Sequence, residues 1–149
     1  MMRKKVFSAA LGFCLLATVT AATAFAQGVS EPFLRATIPF EFTVRGKALP
    51  AGDYVIKRFT DDSSNLLVIS NVKDHERAVF ETENVKVETA PRKGEIVFHR
   101  YGESYFLSEV FTGGEEMGNE LPPSRQERRL KRDLASNKTE TETVAVAAY

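Results

Sequence analysis

Cysteine is almost missing from this chain. Its 149 residues include one, Cys14, with two histidines, His75 and His99, and no tryptophan. Cys14 also lies in a segment that reads as removable. Met1-Met2-Arg3-Lys4-Lys5 is a short basic start, an apolar run follows to about Ala22, and Ala24-Phe25-Ala26 places small residues where a signal peptidase reads them. The run is too short, and too rich in Ala and Thr near its end, for a permanent membrane helix. Phe13 stands where lipidation at Cys14 requires a small residue. Residues 1–26 are therefore expected to be a cleaved signal peptide and Gln27 the first residue of an exported protein, periplasmic or extracellular. Cleavage leaves no thiol, which excludes thiol redox chemistry, cysteine nucleophiles and soft-metal sites. Two histidines far apart in sequence leave no multi-histidine metal motif, and no cofactor is expected.

Charge of one sign is also missing. The whole chain balances 20 Lys and Arg against 20 Asp and Glu, and loss of Arg3, Lys4 and Lys5 leaves the mature protein about three charges negative. The distribution is uneven. Residues 27–124 hold 11 basic against 16 acidic side chains, whereas Arg125, Arg128, Arg129, Lys131 and Arg132 fall within eight positions. No aromatic residues are interleaved with that basic run and Glu127 and Asp133 interrupt it, so nucleic acid is not an expected partner. A solvated helix face is the expected role, with an acidic lipid surface as a minor alternative because the helix's apolar face is narrow. With residues 1–26 removed, no integral membrane span is expected, and an unidentified envelope or extracellular partner remains.

What is present reads as strands. Ile38, Phe40, Phe42 and Val44 alternate with Pro39, Glu41, Thr43 and Arg45, one apolar face against one wet face at period two. Gly46 to Asp53 turns the chain, and Tyr54 to Phe59 returns it. Leu66–Ser70 and Ala78–Glu88 add strands, and Glu95–Tyr101 faces Ser104–Phe111 across Gly102-Glu103. The expected fold is all-β: an antiparallel meander of six or seven strands over 27–112, forming a curled sheet, small barrel or sandwich. A loop is expected over 113–124. Ser124 and Glu127 have capping-box spacing and open a surface helix over 125–136, with Leu130 and Leu134 as its apolar stripe. Residues 137–149, with Thr-Glu repetition and small side chains, are expected to be a disordered tail.

The sequence offers few groups for chemistry. His99-Arg100-Tyr101 joins an imidazole, a guanidinium and a phenol, and Glu109 supplies a nearby carboxylate; these four are the candidate site. Neighbours along a strand point to opposite faces, so His99 and Arg100 are not expected to share a pocket. Ser104 and Ser108 are within reach of a hydrolase hypothesis, but neither sits in a nucleophile-elbow pattern. Asp61-Asp62-Ser63-Ser64-Asn65 is rich in oxygen but lacks the spacing of a calcium loop, and reads as a solvated turn.

Ile38-Pro39-Phe40-Glu41-Phe42-Thr43-Val44 running into Leu49-Pro50-Ala51-Gly52-Asp53-Tyr54 resembles the opening of a group of small exported bacterial proteins. Val97 to Gly102, Tyr105 to Val110 and Ser124 to Arg128 resemble the rest of that pattern, so the resemblance spans roughly residues 36–134. The group has no assigned activity, and the resemblance transfers no catalytic residue. The expected function is a non-enzymatic binding or interaction module of the cell envelope. A small-ligand carrier with an apolar cavity is the alternative, and a hydrolase using His99 and Glu109 ranks third.

Overall fold

The computed structural model describes residues 32–137 and 141–149; the expected signal peptide and its junction at Gln27 lie outside the described residues. Among the described residues the fold is all-β, as the alternation implied, with one helix, and eleven strands form two sheets. The four-stranded sheet takes β1 (Leu34–Ile38), β4 (Gly52–Arg58), β5 (Leu66–Asn71) and β6 (Arg77–Glu81), in the order β1-β4-β5-β6. The larger sheet runs β11 (Thr141–Ala148), β8 (Gly94–Tyr101), β9 (Ser104–Phe111), β10 (Met117–Glu120), β7 (Glu83–Lys86). A hairpin of β2 (Phe42–Val44) and β3 (Lys47–Leu49) joins it through a parallel bridge from β2 to β9. Helix α1 spans Arg125–Ser136.

The expected first strand is divided by Pro39. A proline cannot donate to a ladder, and here the chain leaves one sheet and enters the other: Ile38 ends β1 and Phe42 begins β2. Inward alternation nevertheless persists across the break, with Ile38, Phe42 and Val44 buried and Phe40 half-buried. Arg45 and Gly46, both at positive φ (52° and 90°), close the β2–β3 hairpin. The segment expected to be a turn before Tyr54 therefore contains a short strand. The strand count exceeds six or seven because the crossing at Pro39 splits one expected strand and because β3, β10 and β11 lie in segments expected to be a turn, a loop and a tail.

Two further expectations are corrected. The 113–124 loop contains β10, which pairs with both β9 and β7. Gly118 makes that pairing fit, since a Cβ there would stand 2.3 Å from the Phe111 ring. The expected disordered tail is strand β11, antiparallel to β8 along its whole length. Val144, Val146 and Ala148 turn to the buried side opposite Phe98, Ile96 and Gly94. Small side chains give a weak sequence signal, and pairing with a buried strand decides the conformation. Beyond β11, Tyr149 exchanges two backbone hydrogen bonds with Arg35 (2.8 and 2.9 Å), which stitches the two sheets along one edge.

The core lies between the sheets. Phe42 meets Tyr54 and Phe98 edge to ring, with centroids 5.1 and 5.3 Å apart, and Phe40 caps the group by stacking on Tyr105. Leu34, Ile56, Leu67, Ile69, Ile96 and Leu107 complete the filling. The opposite face of the larger sheet is partly covered by α1, and the candidate site lies there.

Candidate functional site

Strand periodicity places His99 and Tyr101 on one face of β8 and Arg100 on the other, as expected. Arg100 reaches Glu142 on β11 (3.1 Å) and the Gly102 carbonyl (2.8 Å), and its guanidinium lies over the Tyr105 ring. It has no part in the cluster around His99.

A β-bulge builds the next part of the site. Val97 is opposite Glu109 but Phe98 is opposite Leu107, so Ser108 is an extra residue in β9 without a partner in register. A bulge re-aims the side chain it carries. The Ser108 hydroxyl lies 3.2 Å from His99 Nε2. The other imidazole nitrogen, Nδ1, lies 2.9 Å from Oε1 of Glu127 on α1, and the Tyr101 hydroxyl donates to the same oxygen at 3.2 Å. With Nδ1 paired to Glu127 Oε1 and Nε2 to the Ser108 hydroxyl, both ring nitrogens are matched.

The carboxylate and the serine are buried, and the imidazole is partly exposed. The Glu127 side chain is 6% exposed and that of His99 30%, and Ser108 is 3% exposed as a residue. Among the described residues, every buried side-chain nitrogen and oxygen has a hydrogen-bond partner. Burial, then the Glu127 carboxylate, pushes the Tyr101 hydroxyl up to about 12. Burial also raises the Glu109 carboxyl, with Glu120 directly opposite it on β10 adding to the effect and His99 opposing it.

The carboxylate that meets His99 is thus Glu127, in place of the expected Glu109. Glu109 stands on the same face, near enough to feel the imidazole's charge, and makes no hydrogen bond to it. Ser108 and Glu127 were absent from the expected site. A sequence signal for Glu127 exists: residues 127, 130 and 134 share one side of a helix, so Glu127 belongs to the stripe that Leu130 and Leu134 define. Those leucines are half-buried, and Glu127 is the one buried residue of α1. The helix docks by a carboxylate flanked by leucines, where leucines alone were expected. Only half of the capping box forms. The Glu127 amide donates to Ser124 Oγ (3.1 Å), while its side chain turns to the sheet.

Chemically, Ser108, His99 and Glu127 stand in the order of a nucleophile, a base and its orienting acid. Three open grooves lie beside α1, and Ser108 lines none of them. One, of about 470 Å³, touches Glu127 and is otherwise bounded by Pro123, Arg128, Lys131, Arg132 and Ala135. A second, of about 480 Å³, is lined by Arg45, Arg125 and Arg128, and a third, of about 490 Å³, by Arg125, Arg129 and Leu130 among others. Among the described residues, no group of three or more His, Asp and Glu side chains is arranged to hold a metal ion.

Fold and site together define a sandwich-like β domain with a helix clamped onto one face by a half-buried histidine and a buried carboxylate. Comparison with protein-family models, with curated proteins and with solved structures finds no match to this chain.

Proposed function

We propose that the protein is an exported, non-enzymatic binding module of the cell envelope, periplasmic or extracellular, and that the His99 cluster serves to fix α1 as part of its binding surface. The observation that carries this reading is the internal pairing of the cluster: both imidazole nitrogens and the Oε1 oxygen of the carboxylate are hydrogen-bonded within it, beneath the helix. A site that turns substrate over needs a group left facing the substrate. Export rests on the basic, apolar and A-x-A pattern of residues 1–26. Among the described residues, no helix is long and apolar enough to cross a membrane. Two measurements test the reading. Intact mass of protein from the native host should begin at Gln27; a mass that retains residues 1–26 removes the export argument. Affinity capture from native envelopes should enrich a component that rebinds the purified protein, and failure to enrich one counts against a binding module.

A second reading draws on one observation, the Ser108–His99–Glu127 hydrogen-bond order, and makes the protein a serine hydrolase with Glu127 in the role first expected of Glu109. Its nucleophile is buried, so this reading requires α1 to move. Labelling by a fluorophosphonate, lost in Ser108→Ala, would establish it; equal labelling of the two proteins would remove it. The carrier reading draws no support from the inter-sheet space, which Phe42, Tyr54, Phe80 and Phe98 fill at 0–2% exposure.

A further inference from the structure

The charges of α1 are sorted by the helix period. Arg125, Arg128, Arg129 and Arg132 follow the spacing i, i+3, i+4, i+7 and form one stripe. It lies diametrically opposite the inward stripe of Glu127, Leu130 and Leu134, and all four arginines are exposed. Glu127 is turned into the sheet and forms no ion pair with any arginine of the stripe. Asp133 is the one acidic residue left on the outer surface of the helix. Among the described residues, no carboxylate lies within ion-pair distance of any of the four arginines; Arg128 donates to the Pro123 carbonyl. Lys131 flanks the stripe, and Arg45 reaches the same side from the β2–β3 turn to line the groove beside Arg125 and Arg128.

We propose that this stripe holds the protein against an anionic lipid surface, its guanidinium groups pairing with lipid phosphates. The proposal deepens the binding-module reading and rests on it. Three features fit a lipid plane, and the first of them favours it over an acidic polypeptide. The arginines crown a convex ridge with open grooves on its flanks, so a flat array of anions meets them together, whereas a chain lying in either groove meets one side only. All four members of the stripe are arginine, whose planar fork matches a phosphate bidentately. The apolar side of the helix is occupied by the sheet, so attachment is electrostatic and peripheral, with no insertion. The clamp gives the ridge its rigidity: His99 and Tyr101 hold α1 in the rotation that turns the arginines outward.

The test is flotation of the mature protein with vesicles. Each cation near an anionic surface adds roughly fivefold to partitioning, so four together contribute on the order of several hundredfold. Wild-type protein should float with vesicles containing phosphatidylglycerol at low salt, be released by added salt, and ignore pure phosphatidylcholine. Arg125→Ser/Arg129→Ser/Arg132→Ser, which keeps the Arg128 bond to Pro123, should lose flotation while its circular dichroism and urea midpoint stay unchanged. Absence of wild-type flotation, binding to phosphatidylcholine, or undiminished binding of the triple variant would each overturn the proposal. Affinity capture separates the two levels. If neither protein floats but both capture the same envelope polypeptide, the binding module stands and the lipid surface falls; if wild type neither floats nor captures anything, both fall.

Discussion

Replacing His99 with alanine tests whether the clamp holds the helix. The substitution leaves Glu127 Oε1 with the Tyr101 hydroxyl alone, in a side chain that is 6% exposed. Removing one partner of a buried pair costs about 3–5 kcal/mol when the remaining charge cannot escape. Here it can. His99 is itself partly exposed, and α1 can lift and return Glu127 to water, so the loss is capped by what docking is worth. Docking consists of charge-assisted hydrogen bonds at about 1.5–3 kcal/mol each and two half-buried leucines at about 1 kcal/mol each, half or less of the value for full burial. His99→Ala removes one of these charge-assisted hydrogen bonds, so a loss of about 2–3 kcal/mol, confined to the helix, is expected. Hydrogen exchange of the α1 amides should rise by about 30- to 150-fold, since about 1.4 kcal/mol is a factor of ten, while amides of β4, β5 and β9 keep their protection. Trypsin should cut at Arg128 and Arg129 sooner. Unchanged protection of α1 would refute the clamp, and an equal loss across both sheets would refute the claim that docking is separable from the core.

Three other outcomes follow from particular residues. Tyr101 has its hydroxyl pushed up to about 12 by burial and Glu127; a raised value in the folded state means its contribution is whole below about pH 10 and fades as pH rises through 12. Tyr101→Phe should delete a late component near pH 12 from the ultraviolet titration, and an unchanged titration would contradict the burial. Glu109 is likewise raised, by burial and by Glu120 opposite, so its ionisation costs stability above the folded value and nothing at low pH; Glu109→Gln should raise the urea midpoint at pH 7 and have little effect near pH 4. Phe42→Ala should cost about 3–5 kcal/mol, because its ring lies between Tyr54 and Phe98, whereas exposed Glu41→Ala should cost less than about 1 kcal/mol; equal midpoint shifts would place Phe42 outside the core.

Alternation by itself determined the class of this fold, because period two is a property of the strand backbone and needs no partner to be read. Ile38, Phe40, Phe42 and Val44 could be assigned to one face from that pattern. The Ser124 cap and the extent of α1 were legible for a similar reason: capping is settled within four residues. Which strands pair is a different kind of fact. Pro39 marks a break in donation but does not say that the chain changes sheets there, and Thr141–Ala148 becomes a strand because β8 offers a buried edge. The site depended on long-range arrangement even more. Ser108 is aimed by a bulge, an offset between two strands that neither strand encodes alone, and Glu127 reaches His99 from 28 positions away because α1 packs across β8. A buried carboxylate is tolerated only where donors already wait for it, and only the tertiary structure brings those donors to Glu127.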